Sequence, residues 1–244
     1  MKVLGFAIAT CGLFVALVLA QTPPGDQLVE GFKSVEVASV ADAIEQLYGQ
    51  KLYMRHEMRP VFTTKFAGRA VTVLLKKEEH KEGSKASQGM LDAIDAAAPG
   101  SVYVMKLDDG TGKGDADIAG MGGLMATAMK ARGFAGAVID AGIRDMPQIK
   151  KLQFPVFSTG VVPSTSVNHY RFAGVNVPVT CAGALVNADD IISADEDGVV
   201  VVPSAKAAEI LKRAEELDNT EHTMIPFIEK FKSIREAVAK FGRI

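Results

Sequence analysis

The stretch "AVIDAGIRDMPQ", Ala137 to Gln148, decides how the chain is read. Val138 and Ile139 ask for a buried strand, and the run ends in Asp140. Ala141-Gly142-Ile143 then leads to Arg144-Asp145, just ahead of "MPQIKKL", which has helical spacing. A strand followed at once by a helix is part of an α/β alternation with parallel or mixed strands. Arg144 and Asp145 fall where that strand ends, and in α/β sheets ligands bind beyond the carboxyl ends of strands. A structural reading competes: Asp145, Pro147 and Gln148 resemble a capping box with proline in the first helical turn.

Outward from this stretch the alternation continues. Upstream, "GLMATAMKARG" predicts a helix, "SVYVMKL" a strand, "GMLDAIDAAAPG" a helix stopped by Pro-Gly, and "GRAVTVLL" a strand. The segment "DDGTGKGDADIAG" (108–120) reads as a long loop, and Gln27 to Gly49 as helical, with Ser39 as an N-cap. Downstream, "FPVFSTG" is a strand, and "VNVPVTCAGALV", "DIISA" and "GVVVVP" read as sheet with hairpin turns. "SAKAAEILKRAEEL" and "IPFIEKFKSIREAVAKF" close the chain as two amphipathic helices. The expected organisation is a signal peptide at 1–20, a linker and first helix at 21–38, an α/β domain at 39–203, and helices at 204–244 packing on that domain.

Composition narrows the function. The chain has 244 residues, 48% apolar, and 27 Lys and Arg against 29 Asp and Glu, enough for one sizeable core. With no basic stripe, a nucleic-acid partner is not expected. "MKVLGFAIATCGLFVALVLA" places one Lys before an apolar run that ends in Val18-Leu19-Ala20, the pattern of a cleaved secretory signal. The expectation is an exported protein, periplasmic or secreted, with no membrane partner after cleavage; a retained anchor is the alternative. Cleavage would leave Cys181 without a disulfide partner, in an apolar stretch that suits a small core residue.

Several chemistries have no motif here. The four histidines (His56, His80, His169, His222) form no metal-spaced pair, and no C-x-x-C or G-x-S-x-G occurs. "GTGKGD" lacks the first glycine and the Ser or Thr of a phosphate loop, because Leu107 and Gly114 stand there. "DEDG" (195–198) reads as a hairpin turn. What remains is Gly122-Gly123 opening a helix, where bare backbone can approach a ligand and free N–H groups can hold a carboxylate. Combined with Arg144, whose planar fork suits a carboxylate, and Asp145, a hard oxygen ligand for Mg²⁺ or Mn²⁺, it outlines an α-keto acid site.

At these residues the sequence resembles the RraA-like family. That family includes 4-hydroxy-4-methyl-2-oxoglutarate aldolases and the regulator of ribonuclease activity A, and many members once carried a demethylmenaquinone methyltransferase label. The resemblance is carried by "SVADAIEQL", "FAGRAVTV", "GGLMATAMKARGFAGAVIDAGIRD", "PVFSTGVVPS" and "DIISADEDGVVVVP". It implies a layered β/β/α swivelling domain with a mixed sheet, assembled as homotrimers or dimers of trimers with sites between subunits. It also implies a class II lyase, dependent on a divalent cation, that cleaves 4-hydroxy-4-methyl-2-oxoglutarate or decarboxylates oxaloacetate. Gly122, Gly123, Leu124, Met125 and Arg144 would bind substrate, Arg144 and Asp145 would be catalytic, and Asp145 would hold the metal.

One departure stands out: the family's aldolases carry an acid twenty-one positions before the Arg, and Gly123 stands there. Gln148 replaces a carboxylate often found three residues after the Asp. With that charge missing, metal affinity should fall or Asp115 or Asp117 in the preceding loop must compensate, and Glu196, Asp197 or Glu221 could complete the site from a neighbouring subunit. The rival expectations are a non-catalytic scaffold with a degraded metal site, and an enzyme for another hydroxy or keto acid.

Overall fold

The computed structural model describes residues 26–242, so the signal-peptide reading lies outside the described residues. Helix α1 (Gln27–Ser34) is capped by Asp26, whose carboxylate accepts from the Leu28 and Val29 amides, and α2 (Val37–Tyr48) ends on left-handed Gly49. The helical run expected across Gln27 to Gly49 is therefore two helices. The amides at the break are taken by carboxylates from far along the chain: Glu36 N–H donates to Asp218 and Val37 N–H to Asp195. Those bonds satisfy two donors that a continuous helix would have used. Ser39 is buried inside α2 and is not its cap.

The remaining elements are β1 (Arg59–Pro60), β2 (Phe66–Lys77), α3 (Gln88–Ala96), β3 (Val102–Asp108), β4 (Asp115–Met121), α4 (Gly123–Ala131), β5 (Gly136–Ile143), α5 (Met146–Leu152), β6 (Val156–Val161), β7 (Tyr170–Val175), β8 (Val179–Cys181), β9 (Ala184–Val186), β10 (Ile191–Asp195), β11 (Gly198–Val202), α6 (Ala207–Phe231) and α7 (Ile234–Phe241). The main sheet runs β1-β6-β5-β3-β2-β10-β11, with β2, β3, β5 and β6 parallel and the outer strands antiparallel. It branches twice. β10 pairs with the first part of β2 and β7 with the last; β3 pairs with the first part of β5, and β4 with the last.

Three apolar clusters share this sheet. α3, α4 and α5 cover one face through Met90, Ile94, Ala126, Met129 and Ile149 against Val73, Tyr103, Ile139 and Ile143. The β8–β9 hairpin covers the other face over Val104, Val138 and Phe157. α1, α2 and α6 cover the β10–β11 side through Phe32, Val40, Ile44, Ile210 and Leu217. Strand β11 alternates between the last two, Val199 and Val201 to one and Val200 and Val202 to the other. That is why "VVVV" is apolar throughout. The protein is thus the expected layered α/β domain with a mixed sheet.

Two local readings are corrected, and one strand went unread. The second half of the 108–120 loop is strand β4, whose Asp and Gly content conceals it. β7 had no visible signal. The two C-terminal helices divide elsewhere than expected: α6 runs through Pro226, and the break comes at left-handed Lys232 before Ser233, which caps α7.

Candidate functional site

β5 ends at Ile143, and the chain reverses through Asp145, which sits in the left-handed region at φ 61°, ψ 39°. Aspartate tolerates that conformation better than most residues. Asp145 occupies the N-cap position of α5, yet its side chain makes no capping bond there. The capping box is not formed. Instead Asp145 Oδ2 reaches across to accept from Gly123 N–H at the start of α4, at 2.8 Å. Among the described residues Oδ1 has no hydrogen-bond partner, and the side chain is 52% exposed.

Arg144 lies beside it, Nε 3.9 Å from Asp145 Oδ2. Its Nη1 donates to the Ser164 carbonyl at 3.0 Å, which fixes the guanidinium plane and leaves Nη2 open. Ser164 is itself pinned: its hydroxyl donates to Asp117 O and accepts from Ala119 N–H. Backbone rungs continue past the strand ends, from Arg144 N–H to Met121 O, Val162 N–H to Ile143 O and Ser166 N–H to Ala119 O. Three loops are therefore stitched into one surface.

Two hollows meet at Asp145. One, about 430 Å³, is walled by Arg144, Met146 and Val161–Pro163. The other, about 370 Å³, is walled by Gly123, Leu124, Thr127, Pro147 and Gln148. Leu124 is 88% exposed at its rim. Met125 packs its side chain toward the α3–α5 core, so only its backbone N–H faces the helix start. A Cβ at Gly122 would lie 2.7 Å from Asp145 Oδ2, so a side chain there would displace that carboxylate. A Cβ at Gly123 would meet Gln148 Cγ at 3.0 Å and Asp145 Cβ at 3.1 Å. Gln148, donating weakly to Thr127 Oγ1 at 3.3 Å, already fills the space that an acid at 123 would enter.

Of the two acids expected to compensate from within the chain, Asp117 is tied to the site through its backbone carbonyl, which accepts from the Ser164 hydroxyl, and Asp115 turns to Tyr170. Asp115 accepts from Tyr170 Oη at 2.8 Å; burial, together with that carboxylate, raises the Tyr170 hydroxyl well above its usual range. Glu196 and Asp197 line a separate hollow with Glu36, Thr63 and Lys65, and Glu221 lies on α6. Among the described residues no three His, Cys, Asp or Glu side chains gather as a metal cluster. The donor set for a cation is therefore one carboxylate oxygen, Asp145 Oδ1. That suits a water-rich ion such as Mg²⁺, which commonly takes one or two protein carboxylates and completes its shell from substrate and water. Sequence reasoning missed Ser164 and Thr127, whose roles rest on contacts that no motif announces. Cys181 is fully buried, and its thiol is raised by burial and then by the Asp140 carboxylate, as befits an unreactive core residue.

A model of the family described as RraA-like, Aldolase/RraA, matches residues 37–201. The chain belongs to the RraA-like family. A relative from Halalkalibacterium halodurans, provisionally named a 4-hydroxy-4-methyl-2-oxoglutarate aldolase, is 34% identical over 125 residues, which cover 51% of this chain and 57% of that one. An uncharacterized protein of Methanocaldococcus jannaschii is 33% identical over 52% of this chain and 61% of its own. The chain thus spans under two thirds of the length of these relatives. Among solved structures, an uncharacterized Pseudomonas syringae protein superposes with a TM-score of 0.75 at 27% identity, over 88% of this chain and 98% of that one. Streptomyces coelicolor RraAS2, described as an unusual member of the RNase ES inhibitor RraA family, gives 0.71 at 27% identity, over 82% and 98%. RraA-like proteins thus include both named aldolases and named ribonuclease inhibitors.

Proposed function

We propose that this protein is a divalent-metal-dependent carbon–carbon lyase that acts on a small pyruvyl-type keto acid, by retro-aldol cleavage or β-decarboxylation. The observation that carries the reading is Asp145: its carboxylate leaves its own helix uncapped and stands with a free oxygen between Arg144 and the α4 N-terminus. Arg144 presents Nη2 to an anionic oxygen, and its Ser164 anchor holds the fork in place before substrate arrives. The Leu124 and Met125 N–H groups of the first α4 turn are available to a carboxylate. Asp145 would hold Mg²⁺ or Mn²⁺, which as a Lewis acid would stabilise negative charge on the keto oxygen. Arg144 adds fixed positive charge where that oxyanion develops. A homotrimer, exported to the periplasm or medium, completes this reading, with a neighbouring copy supplying any further acid.

The test is pyruvate release from oxaloacetate, above the rate with Mg²⁺ or Mn²⁺ alone. Arg144→Ala and Asp145→Asn are each expected to lower it at least a hundredfold, the range lost with one oxyanion donor. Asparagine keeps both the left-handed backbone and an acceptor for Gly123 N–H, so Asp145→Asn should leave thermal stability nearly unchanged. Undiminished activity in both variants removes the mechanism. A second reading, a non-catalytic scaffold, is favoured by the neutral Gly123–Gln148 pair. Calorimetry with Mn²⁺ plus oxalate separates the two: ternary binding supports the lyase, and its absence supports the scaffold.

A further inference from the structure

The C-terminal helical hairpin carries a surface that the candidate site does not use. α7 lies back along the end of α6, with Ala237 buried and the Phe227 ring 4.5 Å from Phe231 and 5.6 Å from Phe241. That packing leaves the turn bare: Phe231 is 49% exposed and Ile234 63%, three residues apart across the break at Lys232. Lys230, Lys232 and Arg235 flank them, and none makes an ion pair among the described residues. Lys230 lies 5.2 Å from the Phe231 ring centre, and Lys240 sits 4.7 Å from that of Phe227. Over 225–244 the sequence has five Lys and Arg against two Glu, whereas the whole chain has more acids than bases.

Two large apolar side chains exposed at a turn between helices and flanked by cations with no ion pair among the described residues fit a flat anionic layer. Phenylalanine and isoleucine enter the headgroup boundary of a bilayer, while lysine and arginine lie along it and pair with phosphates. A second copy of this turn would bring like charges together. We propose that the α6–α7 turn docks the protein on an anionic lipid surface through Phe231, Ile234, Lys230, Lys232 and Arg235. This departs from the expectation of no membrane partner after signal cleavage, and it is independent of the lyase reading.

The chain has no tryptophan, so Phe231→Trp installs a single indole at the turn. The full chain carrying it is mixed with phosphatidylcholine vesicles, with or without about a third phosphatidylglycerol. The expected result is a blue-shifted emission with the anionic vesicles only. Adding Lys230→Glu, Lys232→Glu and Arg235→Glu should weaken binding on the order of a hundredfold, and Ile234→Ser should reduce it in sedimentation of the otherwise native chain. An indole placed at the turn reports docking of the turn itself. An unchanged emission, an equal shift with neutral vesicles, or a lipid-free shift that grows with protein concentration would each overturn the proposal, the last by making the partner another copy.

Discussion

Asp140 on β5 and Asp145 just beyond its end serve two different purposes. Asp145 stands half-exposed at the site, whereas Asp140 is fully buried and paired with Lys106 on β3, Nζ to Oδ2 at 2.8 Å. The same Oδ2 accepts from Ala182 N–H in the β8–β9 turn, while Oδ1 has no partner. A buried ion pair need not be a net gain, but losing one member strands the other charge in the interior. Lys106→Met is therefore expected to destabilise the fold by about 3–5 kcal/mol, measured by urea unfolding. Adding Asp140→Leu should recover part of that loss. A double variant as unstable as the single one would show that the pair is not what holds these strands.

At the scale of elements, α4 and α5 meet through Gly123 and Gln148. Gly123→Asp alone must push the Gln148 stem aside, and a loss of about 1–3 kcal/mol is expected, as for overpacking. Gly123→Asp with Gln148→Ala should regain most of it and bind Mn²⁺ more tightly than the native chain in calorimetry. Equal affinity in both would mean that the added carboxylate does not face Asp145. This interlock also marks how far the sequence could be read. β5, α4 and α5 were legible because β-branched runs and helical spacing are local signals. The departure at Gly123 was legible too, but its partner was not, because spacing says nothing of which side chain occupies a vacated volume. The sequence puts the break between α1 and α2 at Ser39 rather than Glu36 for a similar reason, since Asp218 and Asp195 hold it from 182 and 158 residues away. β4 was lost in its own aspartates and glycines.

Over the whole molecule, Arg69 on β2 ties the start of the described chain and the approach to α6 to the sheet. It bonds Asp26 ahead of α1, Asp189 ahead of β10, and Ser204 at the approach to α6. Burial is the largest single influence on the Asp26 carboxyl and raises it, but the Arg69 bond and charge and two backbone amides together outweigh it, so its folded pKa lies below the ordinary 3.8. A carboxylate lowered in the folded state contributes in full above its unfolded value and loses that contribution as pH falls through the folded one. The native chain should thus lose α1 docking as acid takes pH below that range, whereas Asp26→Asn, already without the charge, should show a flatter acid limb in circular dichroism. Identical acid limbs would assign the acid sensitivity to other carboxylates. The backbone rungs that run on beyond β4, β5 and β6 carry a different consequence. A ligand arriving at Arg144 meets walls that are already set, so nothing has to close over it. Stopped-flow traces should then show one phase whose rate rises in proportion to ligand concentration, and discrimination among ligands should reside in how slowly each departs.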